Sequence, residues 1–238
     1  MKKRVVLKLS GEALAGDEKI GINHFKVNDI ADEIKALHDL GNVEISIVVG
    51  AGNIWRGRDA VESGMEKASA DYMGMLATIL NALAIQNSLE RLNLETRCMT
   101  SLSIPEVAEP YIRRKALSHL DKGRILIFGG GNGIPFFTTD TTAALRSAEL
   151  GAKLILMAKN GVDGVYDSDP RMNSNAKKYS KLTHQEVLDK RLNVMDLTAA
   201  TLCKENDIDI FVFDMNVKGN IARAVNDFSI GTLISNKI

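Results

Sequence analysis

Apolar residues along this chain follow two spacings. Five short runs are almost continuously apolar: "VVLKL" (5–9), "EISIVVG" (44–50), "RILIFGG" (124–130), "KLILMA" (153–158) and "DIFVFD" (209–214). Runs this short, rich in β-branched or aromatic residues and mostly closed by glycine or a polar turn, read as buried parallel strands. "TLIS" (232–235) reads as a sixth. Between them the period lengthens. "VNDIADEIKALHDLG" (27–41) places Val27, Ile30, Ile34, Leu37 and Leu40 at three- and four-residue steps and stops at Gly41, which predicts an amphipathic helix. "TTDTTAALRSAELG" (138–151) opens on helix-capping residues and also stops at glycine. Strands alternating with helices predict an α/β fold, a mostly parallel sheet with helices on both faces. A third helix, "DYMGMLATILNALAIQNSLERLN" (71–93), is apolar nearly all round from Met73 to Ile85. It should be covered on most sides, either within the core of one chain or by the sheet and a second copy.

The length of 238 residues suits one large α/β domain, and an apolar fraction of 45% allows a sizeable core. Thirty basic and thirty acidic residues cancel, so bulk charge points to neither nucleic acid nor an anionic membrane surface. Cys98 and Cys203 lie far apart and outside any C-x-x-C pair, which indicates neither a zinc site nor a disulfide framework. The four histidines lack metal-ligand spacing, so no metal-binding residues are assigned. The N-terminal apolar run is too short for a signal peptide, and no stretch holds 18 uninterrupted apolar residues. The expectation is a soluble cytoplasmic protein.

Glycine clusters follow three of the strands, in "KLSGEALAG" (8–16), "VVGAGNIWRG" (48–57) and "FGGGNGIPFFTTD" (128–140). Ligands of open parallel sheets bind at the carboxyl edge, and glycine lets backbone N–H groups approach an anion closely. Three such loops predict a phosphate-rich ligand. No G-x-x-x-x-G-K-[ST] and no complete G-x-G-x-x-G occurs, which disfavours P-loop and Rossmann proteins. Lys8 interrupts an apolar strand. Either its ammonium reaches a bound phosphate, or it snorkels from an edge strand. Arg56 can fork onto phosphate or stay solvated. Asp140 either caps a helix or holds nearby lysines in place. Asp71, Asp163 and Asp169 are weaker candidates singly. The polar segment 158–179 is long for a loop and suits an adenine and ribose laid along backbone groups, with Tyr166 as a packing surface. The two phenylalanines of the third glycine loop call for burial.

Taken together, "KLSGEAL", "GAGNIWRG", "ADYMGMLATILNALA", "GNGIPFFTTD", "GVDGVYDSDP" and "AKKY" resemble, in order and over essentially the whole chain, the bacterial-type UMP kinases of the amino acid kinase superfamily. "DYMGMLAT" and "PFFTTD" are the most specific of these strings. The resemblance implies a three-layer αβα sandwich, a homohexamer, and transfer of the γ-phosphoryl of ATP to UMP with Mg²⁺. It implies a single domain over 1–238, with about 1–150 mainly on the UMP side and about 151–238 mainly on the ATP side. It places Lys8, Leu9, Ser10, Gly11, Gly52, Arg56, Asn160, Tyr166 and Asp169 around ATP. It places Ala51, Asp71, Asn132, Gly133, Ile134, Pro135, Phe136, Phe137, Thr138 and Thr139 around UMP, with the phenylalanines packed beneath the pocket. At Ala51 many relatives have glycine. Lys8, Arg56 and Asp140 are the expected catalytic centre. Some members are inhibited by UTP or activated by GTP, and "AGDEKIG" (15–21) falls where the effector-linked loop lies. Two rival readings are a kinase of the same superfamily with a non-nucleotide acceptor and a nucleotide sensor without turnover.

Overall fold

The computed structural model describes every residue except Met1, Arg171, Ser174, Asn193 and Ile238. The first half of the chain runs β1 (Lys3–Leu9), α1 (His24–His38), β2 (Val43–Val49), α2 (Gly57–Glu62), α3 (Lys67–Arg91), β3 (Thr96–Thr100), β4 (Glu109–Pro110), α4 (Arg113–Asp121) and β5 (Ile125–Gly129). The second half continues α5 (Thr139–Leu150), β6 (Leu154–Lys159), β7 (Val165–Tyr166), β8 (Lys178–Tyr179), β9 (Lys181–Thr183), α6 (His184–Asp189), α7 (Leu197–Glu205), β10 (Asp209–Asp214), α8 (Asn220–Arg223) and β11 (Gly231–Ser235). Among the described residues nine strands form one sheet in the order β4-β3-β5-β2-β1-β6-β10-β11-β9. Its pairings are parallel except that of β10 with β11. β7 and β8 pair as a separate antiparallel ribbon.

The alternation along β1 explains the layers. Val5, Leu7 and Leu9 face a core shared with α1, α3 and α8, whereas Val6 faces a second core shared with α4, α5 and α7. Each buried side chain of this size contributes about 2 kcal/mol through loss of water contact. With both faces covered, the central strands carry apolar side chains on each side, hence their nearly continuous apolar runs. The three-layer αβα sandwich follows directly.

All six expected strands form. β3 escapes the sequence pattern because Thr96, Arg97 and Thr100 interrupt its apolar character, although both threonines are buried. Side-chain packing inside a sheet outweighs strand propensity there. The start of α1 is earlier than expected, at His24, because Asn23 caps it by accepting from the Lys26 amide at 3.1 Å. It ends at His38, so Leu40 falls outside the apolar stripe and is 45% exposed. Gly41 lies in the following turn at φ 74°. By length and a mean hydropathy of 1.3 alone α3 would be long and apolar enough to cross a bilayer, although it holds no run of 18 uninterrupted apolar residues. Its packing decides otherwise for one face: Ala82, Ile85 and Leu89 are built into the core beneath the sheet. Tyr72, Met73, Leu76 and Leu80 form an exposed stripe on the rest of the helix, so the sheet covers only part of it.

Candidate active site

β1, β2, β5, β6 and β10 run parallel, so their carboxyl ends share one edge. Leu9 lies opposite Val49 and Ala158, and Lys159 lies opposite Asp214. The three glycine loops leave this edge side by side. A Cβ on Gly11 would stand 2.6 Å from the Gly50 carbonyl oxygen and 2.7 Å from Asn53 Oδ1, so the first two loops meet backbone against backbone. Behind them Asn53 and Asn81, both buried, exchange amide hydrogen bonds of 3.0 and 2.7 Å. Asn81 also donates to the Gly50 carbonyl at 2.8 Å, which ties the second loop to α3. Gly52 and Ala51 sit in that loop, with Glu12 Cγ 3.2 Å from where a Gly52 Cβ would be.

The charged centre lies between the loops. Lys8 Nζ is 2.6 Å from Asp140 Oδ1, and the two side chains are 14% and 17% exposed. β1 is interior to the sheet, which removes the edge-strand reading of Lys8. Asp140 is not the cap of α5 either. Thr138 caps it, accepting from the amides of Asp140 and Thr141 at 3.0 and 3.4 Å, and this frees the Asp140 carboxylate to face Lys8. Burial works to raise the Asp140 pKa, but the ammonium charges of Lys8 and Lys159 outweigh it and hold the carboxyl below its ordinary range. Lys159, at the end of β6, is pushed below the ordinary lysine range by burial, with Asp140 opposing and Lys8 reinforcing the shift. Its Nζ donates to the Val194 carbonyl at 2.7 Å. Lys159 is not among the residues expected at the site, because a lysine that closes an apolar run reads as the polar end of a strand, whereas Lys8 lies inside one. Asp196 is a second omission. It accepts from the hydroxyls of Thr138 and of Thr141, the latter at 2.9 Å, and caps α7 through the Ala199 amide at 2.8 Å.

The third loop bends through Gly130, Gly131 and Gly133 at φ 78°, 55° and 79°. A Cβ on Gly133 would stand 2.9 Å from the Ser101 carbonyl oxygen. The Gly130 amide donates to Thr78 Oγ1 at 2.9 Å. Asp71 accepts from the Phe136 amide at 2.8 Å while Lys67 Nζ sits 2.9 Å from both carboxylate oxygens. That bond holds Phe136 at φ 73°, a conformation non-glycine residues seldom adopt. The expectation that the phenylalanines are buried fails: Phe136 is 68% and Phe137 44% exposed, and Ile134 beside them is also exposed. The loop is fastened through its backbone, which leaves these rings outside the core. Asn132 Oδ1 is buried and has no hydrogen-bond partner among the described residues. Pro135 follows Ile134 in the same stretch, and Thr139 opens α5.

On the other side, a cavity of about 430 Å³ is lined in part by Lys159, Tyr166, Asp169, Val194 and Val212. Segment 158–179 is not a plain loop, since β7 and β8 fold within it; Arg171 and Ser174 lie outside the described residues. Tyr166 donates its hydroxyl to Asp163 at 2.7 Å. The Asp169 carbonyl accepts from the Met172 and Asn173 amides, and Asn160 accepts from Asn216 at 2.8 Å. Arg56, at the mouth of the second loop, pairs with Glu12 at 2.9 Å, both half exposed. Leu9 is buried at the end of β1, and Ser10 leads into the first loop. Burial pushes both thiols up to about 12, so neither cysteine is a nucleophile at neutral pH. A second cavity, of about 410 Å³, lies at the opposite end of β1 against Lys2, Lys3 and Arg4, away from all three glycine loops.

A central Lys–Asp pair, a second buried lysine and three glycine loops thus meet at the carboxyl edge of an α/β sheet, the edge at which open parallel sheets hold their ligands. The model of the amino acid kinase family matches residues 3–214, and the chain belongs to that family. It is 55% identical over 232 residues to a uridylate kinase of Pediococcus pentosaceus, covering 98% of this chain and 96% of the relative. A uridylate kinase of Limosilactobacillus reuteri is 56% identical with the same coverage. Among solved structures, the UMP kinase of Bacillus anthracis superposes with a TM-score of 0.94 at 44% identity, covering 99% of this chain and 97% of the other. The UMP kinase of Ureaplasma parvum gives 0.93 at 40% identity, covering 99% of each chain.

Proposed function

We propose that this chain is a UMP kinase, transferring the γ-phosphoryl of ATP to the phosphate of UMP to give UDP and ADP. The observation that carries the reading is the Lys8–Asp140 pair, 2.6 Å apart where the three glycine loops converge. Lys8 and Lys159 both act on Asp140 as positive charges, which sets cationic side chains at the point where the loops converge. Phosphoryl transfer requires positioning and positive charge where the moving group spreads its negative charge, and little covalent help. A nucleotide phosphate is already ionised at neutral pH, so Asp140 orients the lysines rather than taking a proton. Arg56, released from Glu12, adds a bidentate donor.

In this reading the acceptor lies on the part of the chain up to about residue 150. Ala51, Asp71 and the stretch Asn132–Thr139 surround it, with Asp71 toward the ribose. ATP lies on the part beyond, along Tyr166, Asp169 and Asn160, with its phosphates over Leu9, Ser10, Gly11 and Gly52. Among the described residues no three His, Cys, Asp or Glu side chains converge as a metal cage. Mg²⁺ would arrive as Mg·ATP and would be held chiefly by the phosphates.

ADP release is measured with UMP, dUMP, CMP, AMP and acetylglutamate offered separately. Turnover with UMP is expected to exceed that with CMP by at least about 100-fold, because a pocket satisfying the uracil edge leaves buried groups unpaired against cytosine. Turnover with acetylglutamate alone would leave the ATP half standing and reject the acceptor assignment.

We also infer a homohexamer, supported by the exposed apolar stripe of Tyr72, Met73, Leu76 and Leu80 along α3. Sedimentation equilibrium at micromolar protein is expected to give a multiple of the 26.0 kDa chain mass; a clean monomer rejects the assembly.

A further inference from the structure

Beneath the third glycine loop runs a polar chain that the charged centre does not use. Arg146, on the inner face of α5, is a cation with only 5% of its side chain exposed. Its guanidinium lies 3.6 Å from the centre of the Tyr111 ring. Nη1 donates to Glu149 at 2.6 Å, and Nη2 donates to Ser101 Oγ at 2.8 Å. Tyr111 donates its hydroxyl to the same Glu149 at 2.7 Å. Ser101 in turn donates to the carbonyl of Gly131 at 2.8 Å.

The direction of these bonds is forced. A guanidinium has no acceptor, so Ser101 Oγ accepts from Arg146 and its single hydrogen is left for Gly131. Ser101 thereby becomes the pivot of the loop. Its hydroxyl holds Gly131 at φ 55°, and its carbonyl oxygen would stand 2.9 Å from a Cβ on Gly133, which has φ 79°. Burying a cation is costly, and an apolar replacement of a buried ion pair is often as stable or more so. An arginine stacked on Tyr111 and held by one bond from each Nη to a separate partner does, however, fix a hydrogen-bond direction that an apolar side chain cannot.

We propose that Arg146, acting through Ser101, is a positioning residue for the acceptor: it sets the bend at Gly131 and so the placement of residues 132–139 around UMP. This rests on the UMP kinase reading above. Arg146 does not itself touch the substrate. Its effect is confined to the acceptor side, because Ser101 and Gly131 lie on the β3 and β5 loops, away from the cavity beside Tyr166.

The test is steady-state titration of each substrate, with calorimetric binding of UMP to the full chain. Ser101→Ala is expected to raise KM for UMP about tenfold, the worth of one buried hydrogen bond, while KM for ATP stays within about twofold. Arg146→Lys keeps the charge but loses the fork, and is expected to act in the same direction. Combining them is expected to do no more than the stronger single change, because both act through one bond. Equal rises in both KM values, an additive double variant, or unchanged UMP binding by Ser101→Ala would each overturn the proposal. Should Arg146→Lys fail to fold, Ser101→Ala decides alone. If the unaltered chain binds UMP and Ser101→Ala binds it equally well, only the relay falls. If the unaltered chain does not bind UMP, the functional reading falls and the relay with it.

Discussion

Lys8→Ala is expected to lower kcat for UMP phosphorylation by about 10²–10³-fold, the usual cost of one preorganised electrostatic donor in a closed site. Lys8 is held at 2.6 Å from Asp140 with little solvent access, so its ammonium is already oriented before ATP arrives. Charge that needs no reorganisation during the reaction contributes more than charge that must first find its place. Lys8→Met separates charge from packing, since it keeps the aliphatic length. The same loss of kcat is expected with less change in melting temperature. A kcat within about threefold of the parent in Lys8→Met would show that Lys8 is misassigned.

Asp140→Asn has nearly the same shape and a different charge. It leaves the charges of Lys8 and Lys159 without the carboxylate that opposes them. Removing one partner of a buried ion pair costs about 3 kcal/mol, which in a chain of this size lowers the melting temperature by about 2–4 °C for each kcal/mol. Lys159, already pushed down by burial, loses the charge that opposes that shift. Adding Mg·ATP is expected to recover part of the loss, because its phosphates restore negative charge beside the lysines. An unaltered melting temperature would reject the account. The pH dependence has a definite sign. The folded Asp140 carboxyl titrates below its unfolded value, near pH 4. Its stabilisation is therefore present above about pH 4 and is lost as pH falls through the folded pKa. The gap between parent and variant should close on that descent.

Lys8 was legible because a lysine inside "VVLKL" breaks a pattern that burial otherwise enforces. Lys159 was not, because at the end of "KLILMAK" it looks like the polar boundary of a strand. Its role depends on β6 lying beside β1, a fact of sheet order. Asp140 was visible as a candidate but ambiguous, since aspartate two residues into a helix reads as well as a cap. Thr138 resolves that by doing the capping. Asp196 and Ser101 carry no local signal. One matters through the packing of α7 on α5, the other through the neighbourhood of β3 and β5. The phenylalanines misled for the opposite reason. Composition says they are buried, but Asp71 fixes the Phe136 backbone and their rings stay out.

What the sequence determined by itself was local. Period two or a continuous run against period 3.6 marks strands and helices, capping residues and glycines mark their ends, and clustered glycines mark where backbone must come close. Each of these depends on a few neighbouring residues and on sterics that no distant contact alters. Only the tertiary structure decided that β1 lies between β2 and β6, that β11 runs against β10, that one stripe of α3 stays open, and that Lys8, Lys159 and Asp140 meet. Apolar strands of similar character could pair in several orders, and the choice among them is made by burying two whole faces at once, a property of the assembled sheet and not of any segment within it.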